Sequence, residues 1–142
     1  MAKLLPECPA WGIFVVRVVT GLLFAVHGWQ KFAGGIAGVA GFFGKVGIPM
    51  PGMMAPFIAT LELVGGVLLI IGLWTRWISL LFACEMLVTT LYVQLPAKGW
   101  SGADLDRLLL AVALLLILAG PGAASVDSLL VTRRPETPPV RA

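Results

Sequence analysis

Three charged residues lie inside apolar stretches that are long enough to cross a membrane: Arg17, Glu62 and Glu85. A charge at the centre of a bilayer costs at least roughly 2.5–3.5 kcal/mol on insertion scales, so such residues usually face the interior of a helix bundle and pair. One cation beside two carboxylates invites a proton shared between the acids. We therefore predict an intramembrane polar cluster of these three residues. The alternative is a set of ion pairs that only fixes helix packing.

Further polar residues extend this cluster towards one membrane surface. His27 lies about one turn before the end of the first apolar stretch, Lys31 follows it, and Tyr92 shares a helical face with Glu85. Histidine exchanges protons near neutral pH and donates hydrogen bonds to acceptors such as a quinone carbonyl. We interpret His27, Lys31 and Tyr92 as a quinone or proton site. The alternatives are an interfacial histidine bound to backbone or lipid, and a lysine that extends its ammonium into the headgroup region.

No complete catalytic motif accompanies these residues, so the sequence assigns no catalytic residue. The single histidine, His27, has no glutamate or cysteine three or four residues away. Metal sites in helix bundles rely on such pairs, as in Glu-x-x-His. We predict neither a metal site nor a covalently bound cofactor.

The composition is that of an integral membrane protein. Of 142 residues, 59% are hydrophobic and 12% are charged, and the mean hydropathy is +0.99. Soluble domains carry about 25% charged residues. The lysines and arginines are scattered and form no basic stripe, which excludes nucleic acid as a partner.

Four apolar blocks predict an all-α, four-helix transmembrane bundle. A span needs about 20 residues, which the first three blocks supply, whereas the fourth is short. Tryptophans at or near the block ends occupy the position of the aromatic belt. The predicted spans are Trp11–Trp29, Met53–Trp74, Trp77–Leu95 and Leu105–Ala119.

The flanking segments complete the predicted organisation. Residues 1–10 form an N-terminal cytoplasmic segment, residues 11–122 the four-span domain, and residues 123–142 a surface segment followed by a disordered tail. Short helices on the membrane surface are expected at Val39–Val46 and Ser125–Val131. Arg133 and Arg134, close to the last span, favour a cytoplasmic C-terminus, which with four spans places both termini inside.

Glycines recur on the predicted faces that carry the charges. Gly21 and Gly28 share the stripe of Arg17 on the first span, and Gly65 and Gly66 follow Glu62 on the second. Small residues let helices approach closely in lipid, where packing drives association. We therefore predict that these four glycines lie at helix contacts.

Three segments together resemble the DoxX family of small four-helix bacterial membrane proteins. They are RVVTGLLFAVHGWQKFAG, LELVGGVLLIIGLWTRW and GPGAASVDSLL, which run in this order from Arg17 to Leu130. The resemblance singles out Gly72 as a further packing glycine, together with Arg76 and Asp127. It also implies the bacterial inner membrane as the location.

The function that the resemblance implies is redox chemistry at the membrane, because the family includes a subunit that resembles part of a quinone oxidoreductase. We expect a subunit or anchor of a membrane redox complex, at most one part of an oxidoreductase, which interacts with quinone through the buried Arg/Glu cluster. Its expected partners are the lipid bilayer and a redox protein, with homo-oligomers left open. The alternatives are a structural or assembly subunit, and a small proton-coupled transporter.

Overall fold

Helices joined by short turns make up the chain over residues 8–132, which the structure, a computed structural model, describes without the side chains of residues 98, 101, 131 and 132. Residues 1–7 of the predicted N-terminal segment and the predicted tail, residues 133–142, lie outside this range. The helices are α1 (Pro9–Ala33), α2 (Ile36–Lys45), α3 (Pro51–Ile71), α4 (Thr75–Val88), α5 (Leu95–Lys98), α6 (Asp104–Ala119) and α7 (Val126–Thr132).

The membrane class predicted from composition is confirmed. Three stretches are long and apolar enough to span a bilayer: Pro9–Ala33, Pro51–Ile71 and Thr75–Ala97. The predicted fourth span corresponds to α6, which has 16 residues and is about 24 Å long at 1.5 Å per residue. Because α6 packs along α4, it completes an all-α bundle of four principal helices.

The closest helix contact is between α1 and α3, where glycines replace side chains. A Cβ atom on Gly21 would lie 2.7 Å from the carbonyl oxygen of Gly66, and one on Gly66 would lie 2.6 Å from that of Gly21. Two turns further along α1, a Cβ on Gly28 would overlap the backbone of Ala59 and Leu63. The two antiparallel helices therefore touch backbone to backbone, as small residues permit in lipid.

Aromatic packing joins this pair of helices to α4. The rings of Phe24 and Phe82 are stacked with centroids 3.6 Å apart, and both side chains are fully buried. Gly65 makes room for Phe82, since a Cβ there would stand 3.0 Å from its ring. The core continues between α4 and α6 through Ile78, Ala83, Met86, Leu109, Ala113 and Leu116.

The outer surface of the bundle suits a bilayer. All five tryptophans are more than half exposed, and apolar side chains cover the outer faces of the long helices. Short helices are present where they were predicted, as α2 and α7, and their position on the membrane surface stays a prediction. Exposed aromatic rings near helix ends match the headgroup region, where one side of the ring is apolar and the other wet.

One long helix changes its winding near one end. After α4 the chain forms a π-helical segment, Thr89–Gln94, before α5. Pro96 lies in α5, has no N–H to donate, and its ring would clash with the carbonyl four residues earlier in a regular α-helix. The wider π turn accommodates this proline. Segments of this kind are frequent at functional sites.

Candidate functional site

A cavity of about 760 Å³ lies between the C-terminal part of α1, α2, the first half of α3, the end of α4 with its π segment, and the start of α6. Five ionisable side chains line it: His27, Lys31, Glu62, Glu85 and Asp106. We call this space the polar cavity. Phenylalanines and other apolar residues supply most of its remaining wall.

An ion pair crosses the polar cavity from α1 to α3. The Nζ atom of Lys31 donates a hydrogen bond to Oε2 of Glu62. The side chain of Glu62 is 6% exposed and that of Lys31 25% exposed. The close contact at Gly28 brings the last turns of α1 against α3, so the lysine stem can reach the carboxylate. In a low-dielectric interior such a pair holds its two helices firmly, because removal of one partner leaves a bare buried charge.

Glu85 of α4 lies beside this ion pair. Its carboxyl group shares a side-chain hydrogen bond with Glu62 and also interacts electrostatically with Lys31 and Asp106, and the residue is only 7% exposed. Its Oε2 atom has no hydrogen-bond partner among residues 8–132. Buried polar atoms are nearly always paired, so an orphaned carboxyl oxygen in a cavity needs a proton, a water or a ligand to satisfy it.

The charges of this group do not balance by themselves. Among the side chains that the structure describes, Glu62 and Glu85 bring two carboxyl groups against one ammonium, that of Lys31, with Asp106 of α6 nearby. His27 is half-buried and stands one turn before Lys31 on the same face of α1. The arrangement can therefore take up a proton or bind the polar head of a small molecule.

The structure corrects one part of the predicted cluster, because Arg17 is far from both glutamates. The contacts of Gly21 with Gly66 and of Gly28 with Ala59 set the register of α1 against α3. In this register Arg17 is level with Ile70, whose carbonyl oxygen lies 3.4 Å from Nη2. Ile70 is eight residues beyond Glu62, about 12 Å along the axis. Counting residues from the predicted span ends could not supply this register.

Arg17 is instead the centre of a second polar site at the other end of the bundle. The side chain is fully buried. Its Nη1 atom donates to the carbonyl oxygen of Pro121, and Nη2 donates to that of Ala124 at 2.9 Å. Gly72, with φ of 72° in the left-handed region that favours glycine, lies against it, since a Cβ there would stand 2.5 Å from Nη1.

Asp127 of α7 completes this site by capping α4. Its two carboxylate oxygens accept hydrogen bonds from the backbone N–H groups of Trp74 and Thr75, both at 2.8 Å. Its own N–H donates to the carbonyl oxygen of Gly72 at 2.9 Å, and its charge faces Arg17. A carboxylate at a helix N-terminus satisfies free N–H groups and opposes the helix dipole. We call Arg17, Gly72, Pro121, Ala124 and Asp127 the Arg17 site.

Tyr92 does not join the polar cavity. It lies on the π segment, is 62% exposed and is not among the lining residues. The shared face predicted with Glu85 assumed a regular α-helix, whereas the wider π turn after Val88 places Val93 on the cavity side in place of Tyr92. Thr89 also lines the cavity, and its hydroxyl donates to the carbonyl oxygen of Glu85 at 3.1 Å.

Asp106 is the cavity residue that sequence reasoning missed. In the sequence it appears two residues into the fourth span, where an acidic residue is most simply explained as a favourable charge in the first turn. Asp104 takes a more exposed position and pairs with Arg107. The available signal was topological, since the start of the fourth span and the end of the first lie on the same side of the membrane.

Comparisons with known proteins relate this chain to a family of membrane proteins. The profile of the DoxX family matches residues 12–95. CatD of Bacillus subtilis, which carries a provisional name as an oxidoreductase, is 40% identical over 116 residues, covering 82% of this chain and 84% of CatD. The inner membrane protein YqjF of Escherichia coli is 34% identical over 122 residues, covering 84% of this chain and 92% of YqjF. No solved structure matches significantly.

Proposed function

Because the chain belongs to the DoxX family of membrane proteins, we propose that it is a subunit of a membrane redox assembly and binds quinone in the polar cavity. The observation that carries this proposal is the orphaned Oε2 atom of Glu85 beside the Lys31–Glu62 ion pair. The provisional oxidoreductase name of CatD supports the redox class. The polar cavity replaces the predicted cluster with Arg17 as the proposed site.

The residues of the polar cavity fit a quinone head in size and chemistry. Sites for small molecules are mostly apolar clefts of about 300–1,000 Å³ with a few placed polar groups, and this cavity is about 760 Å³. The side chains of Phe24, Phe42 and Phe43 line it as ring-sized apolar surfaces. The carboxyl of Glu85 on α4 and the ammonium of Lys31 on α1 supply neighbouring polar groups from two different helices.

The chemistry of the chain's own residues would be orientation and proton transfer. The ammonium of Lys31 has three N–H groups, of which Glu62 takes one, so others remain for a carbonyl oxygen. Glu85 would hold or release a proton at its free oxygen, and His27 would exchange protons at the mouth. A quinone, when bound, accepts or gives up electrons together with protons, and the electrons would pass to or from a partner protein.

We further propose that the protein lies in the bacterial inner membrane with both termini in the cytoplasm. Two relatives from Escherichia coli are named inner membrane proteins, and Arg133 and Arg134 follow the last span. Fusion of a fluorescent protein that matures only in the cytoplasm to the C-terminus tests the orientation. A dark fusion at normal expression would contradict it.

Quinone binding by the purified protein in nanodiscs tests the proposed function. We expect saturable binding of a ubiquinone by the wild type, weakened about tenfold or more in Glu85→Gln and Glu62→Gln, since hydrogen bonds to charged groups contribute about 1.5–3 kcal/mol. Asp104→Asn is the matched control, because it removes a carboxylate outside the polar cavity. Folded wild-type protein that shows no saturable binding would contradict the proposal.

The same variants separate the proposal from its alternatives. Proton-driven solute uptake into proteoliposomes, abolished in Glu85→Gln without any quinone binding, would favour a transporter. Failure of a partner complex to assemble when the protein is deleted, with Glu62→Gln and Glu85→Gln fully competent, would favour a structural subunit.

A further inference from the structure

A second cavity adjoins the polar cavity at Glu85. Its volume is about 240 Å³ and its wall is almost entirely apolar. The residues that line both spaces are Phe43, Ile58, Glu85 and Thr89. We call this second space the side pocket. These four residues form a wall common to the two spaces.

The side pocket faces the bilayer. It is bounded on α3 by Phe57, which is 55% exposed, and on α4 by Leu81 and Val88, which are 44% and 43% exposed. Cys84, also exposed, lies on the same wall. Exposed apolar residues in the middle of membrane-spanning helices are in contact with lipid chains, so the pocket opens sideways between α3 and α4.

Glu85 stands at the junction of the two spaces. Its residue is 93% buried, as the complement of its 7% exposure, and its Oε2 atom is orphaned among the described residues. A ligand whose polar group reaches this oxygen has the apolar side pocket directly beside it. A molecule with a polar head and a hydrocarbon chain fits both spaces at once.

We propose that the side pocket holds the hydrocarbon chain of the ligand and is its route of entry from the bilayer. The inference rests on the proposed function of the polar cavity and adds the class of substrate: a membrane-dissolved, tailed quinone instead of a water-soluble one. The hydrocarbon chain of the ligand gains little free energy in moving from lipid to the side pocket, because both surroundings are apolar. The pocket therefore adds little affinity of its own, but a head that reaches Glu85 with its hydrocarbon chain attached needs this space for the chain.

Adjacent residues on α4 supply a matched pair of variants. Leu81 lines the side pocket, whereas Leu80 is equally exposed, at 44%, and lines neither cavity. Leu81→Trp should fill the pocket and weaken binding of ubiquinone with four isoprene units by about tenfold, as expected for overpacking. The same head with a methyl group in place of the chain should bind Leu81→Trp as it binds the wild type, and Leu80→Trp should bind both ligands normally.

Cys84 gives a second readout that does not depend on Leu81→Trp folding. The chain has two cysteines, so Cys8→Ser leaves Cys84 as the single thiol. The tailed ubiquinone should slow the reaction of Cys84 with N-ethylmaleimide at saturation, and the tailless head should not.

The outcomes distinguish the two proposals. If both ligands bind but Leu81→Trp does not discriminate between them and Cys84 stays equally reactive, the side-pocket inference is overturned and the proposed function stands. If neither ligand binds to the folded wild type, the proposed function fails and the inference fails with it. Selective loss of the tailed ligand with protection of Cys84 supports both.

Discussion

Helix α1 carries two cations, the buried Arg17 and the half-buried Lys31, and the two sites differ in what surrounds the charge. At the Arg17 site both terminal nitrogens of the guanidinium donate hydrogen bonds to backbone carbonyl oxygens. Of its three nitrogens, only Nε lacks a partner among the described residues. At the polar cavity Lys31 pairs with Glu62, while Glu85 keeps an orphaned oxygen in a space of about 760 Å³. A buried charge inside a membrane is thus not by itself evidence of a ligand site.

The difference lies in where each cation's partners come from. Arg17 binds the end of α3 and the chain after α6, so it fastens the C-terminal segment to the bundle. Asp127 adds a cap on α4 in the same place. Lys31 binds a carboxylate whose neighbour is unsatisfied and faces open space. We infer that the Arg17 site stabilises the fold, whereas the polar cavity has polar groups that are free to bind a ligand.

The largest expected effect is on stability, from Arg17→Ala. The change leaves buried carbonyl oxygens without donors and Asp127 without its cation, and breaking a buried charged network costs about 3–5 kcal/mol. Thermal or denaturant unfolding in detergent should show this loss, and Arg17→Lys should recover part of it. Normal stability of Arg17→Ala with abolished quinone binding would reverse the roles of the two sites.

The next effect is expected at the contact of α1 with α3, from Gly28→Ala. A methyl group there would overlap the backbone of Ala59 and Leu63, and overpacking typically costs about 1–3 kcal/mol. Because the same contact brings Lys31 to Glu62, quinone binding should weaken as well. Gly12→Ala is the control, since no atom of the described residues lies within 4 Å of its Cβ position. Equal stabilities of the two variants would refute the backbone contact.

A smaller effect is expected at the cap of α4, from Asp127→Ala. Loss of an N-terminal cap costs about 0.5–2 kcal/mol. The unfolding free energy in detergent should fall by this amount, while quinone binding at the other end of the bundle should not change. Asp104→Ala, at a side chain that is 72% exposed, serves as a matched loss of an acidic residue. A fall in quinone affinity in Asp127→Ala would show that the two sites are coupled.

Much of the fold follows from the sequence because hydropathy and span length act locally. Four apolar blocks, the short helices and the all-α class could be read from runs of residues. The depth of Arg17 could not, because depth depends on the register between helices, which the contacts Gly21–Gly66 and Gly28–Ala59 set. The error was in the alignment of the helices along the membrane normal, not in their number.

The sequence predicted the kinds of residue in the candidate site better than it predicted which individual residues lie there. Glu62 and Glu85 do lie side by side, since charges in apolar helices turn inwards. Tyr92 was misplaced because the π segment changes the periodicity on which its face depended. The role of Lys31 as partner of Glu62 was hidden because a lysine at a helix end has a simpler explanation at the membrane interface.

The smallest effect on stability is expected from Glu85→Gln, and it is the sharpest test of the comparison. Glutamine in place of this buried carboxyl can keep one hydrogen bond to Glu62 and relieves an unbalanced charge, so the free energy of unfolding should stay within about 1 kcal/mol of the wild type or rise. Ligand binding should fall although the fold is intact, the opposite pattern to Arg17→Ala. Unfolding in detergent and quinone titration on the same samples give both quantities. If Glu85→Gln destabilises the protein as much as Arg17→Ala does, the carboxyl of Glu85 stabilises the packing of the bundle. That result would contradict a ligand site in the polar cavity.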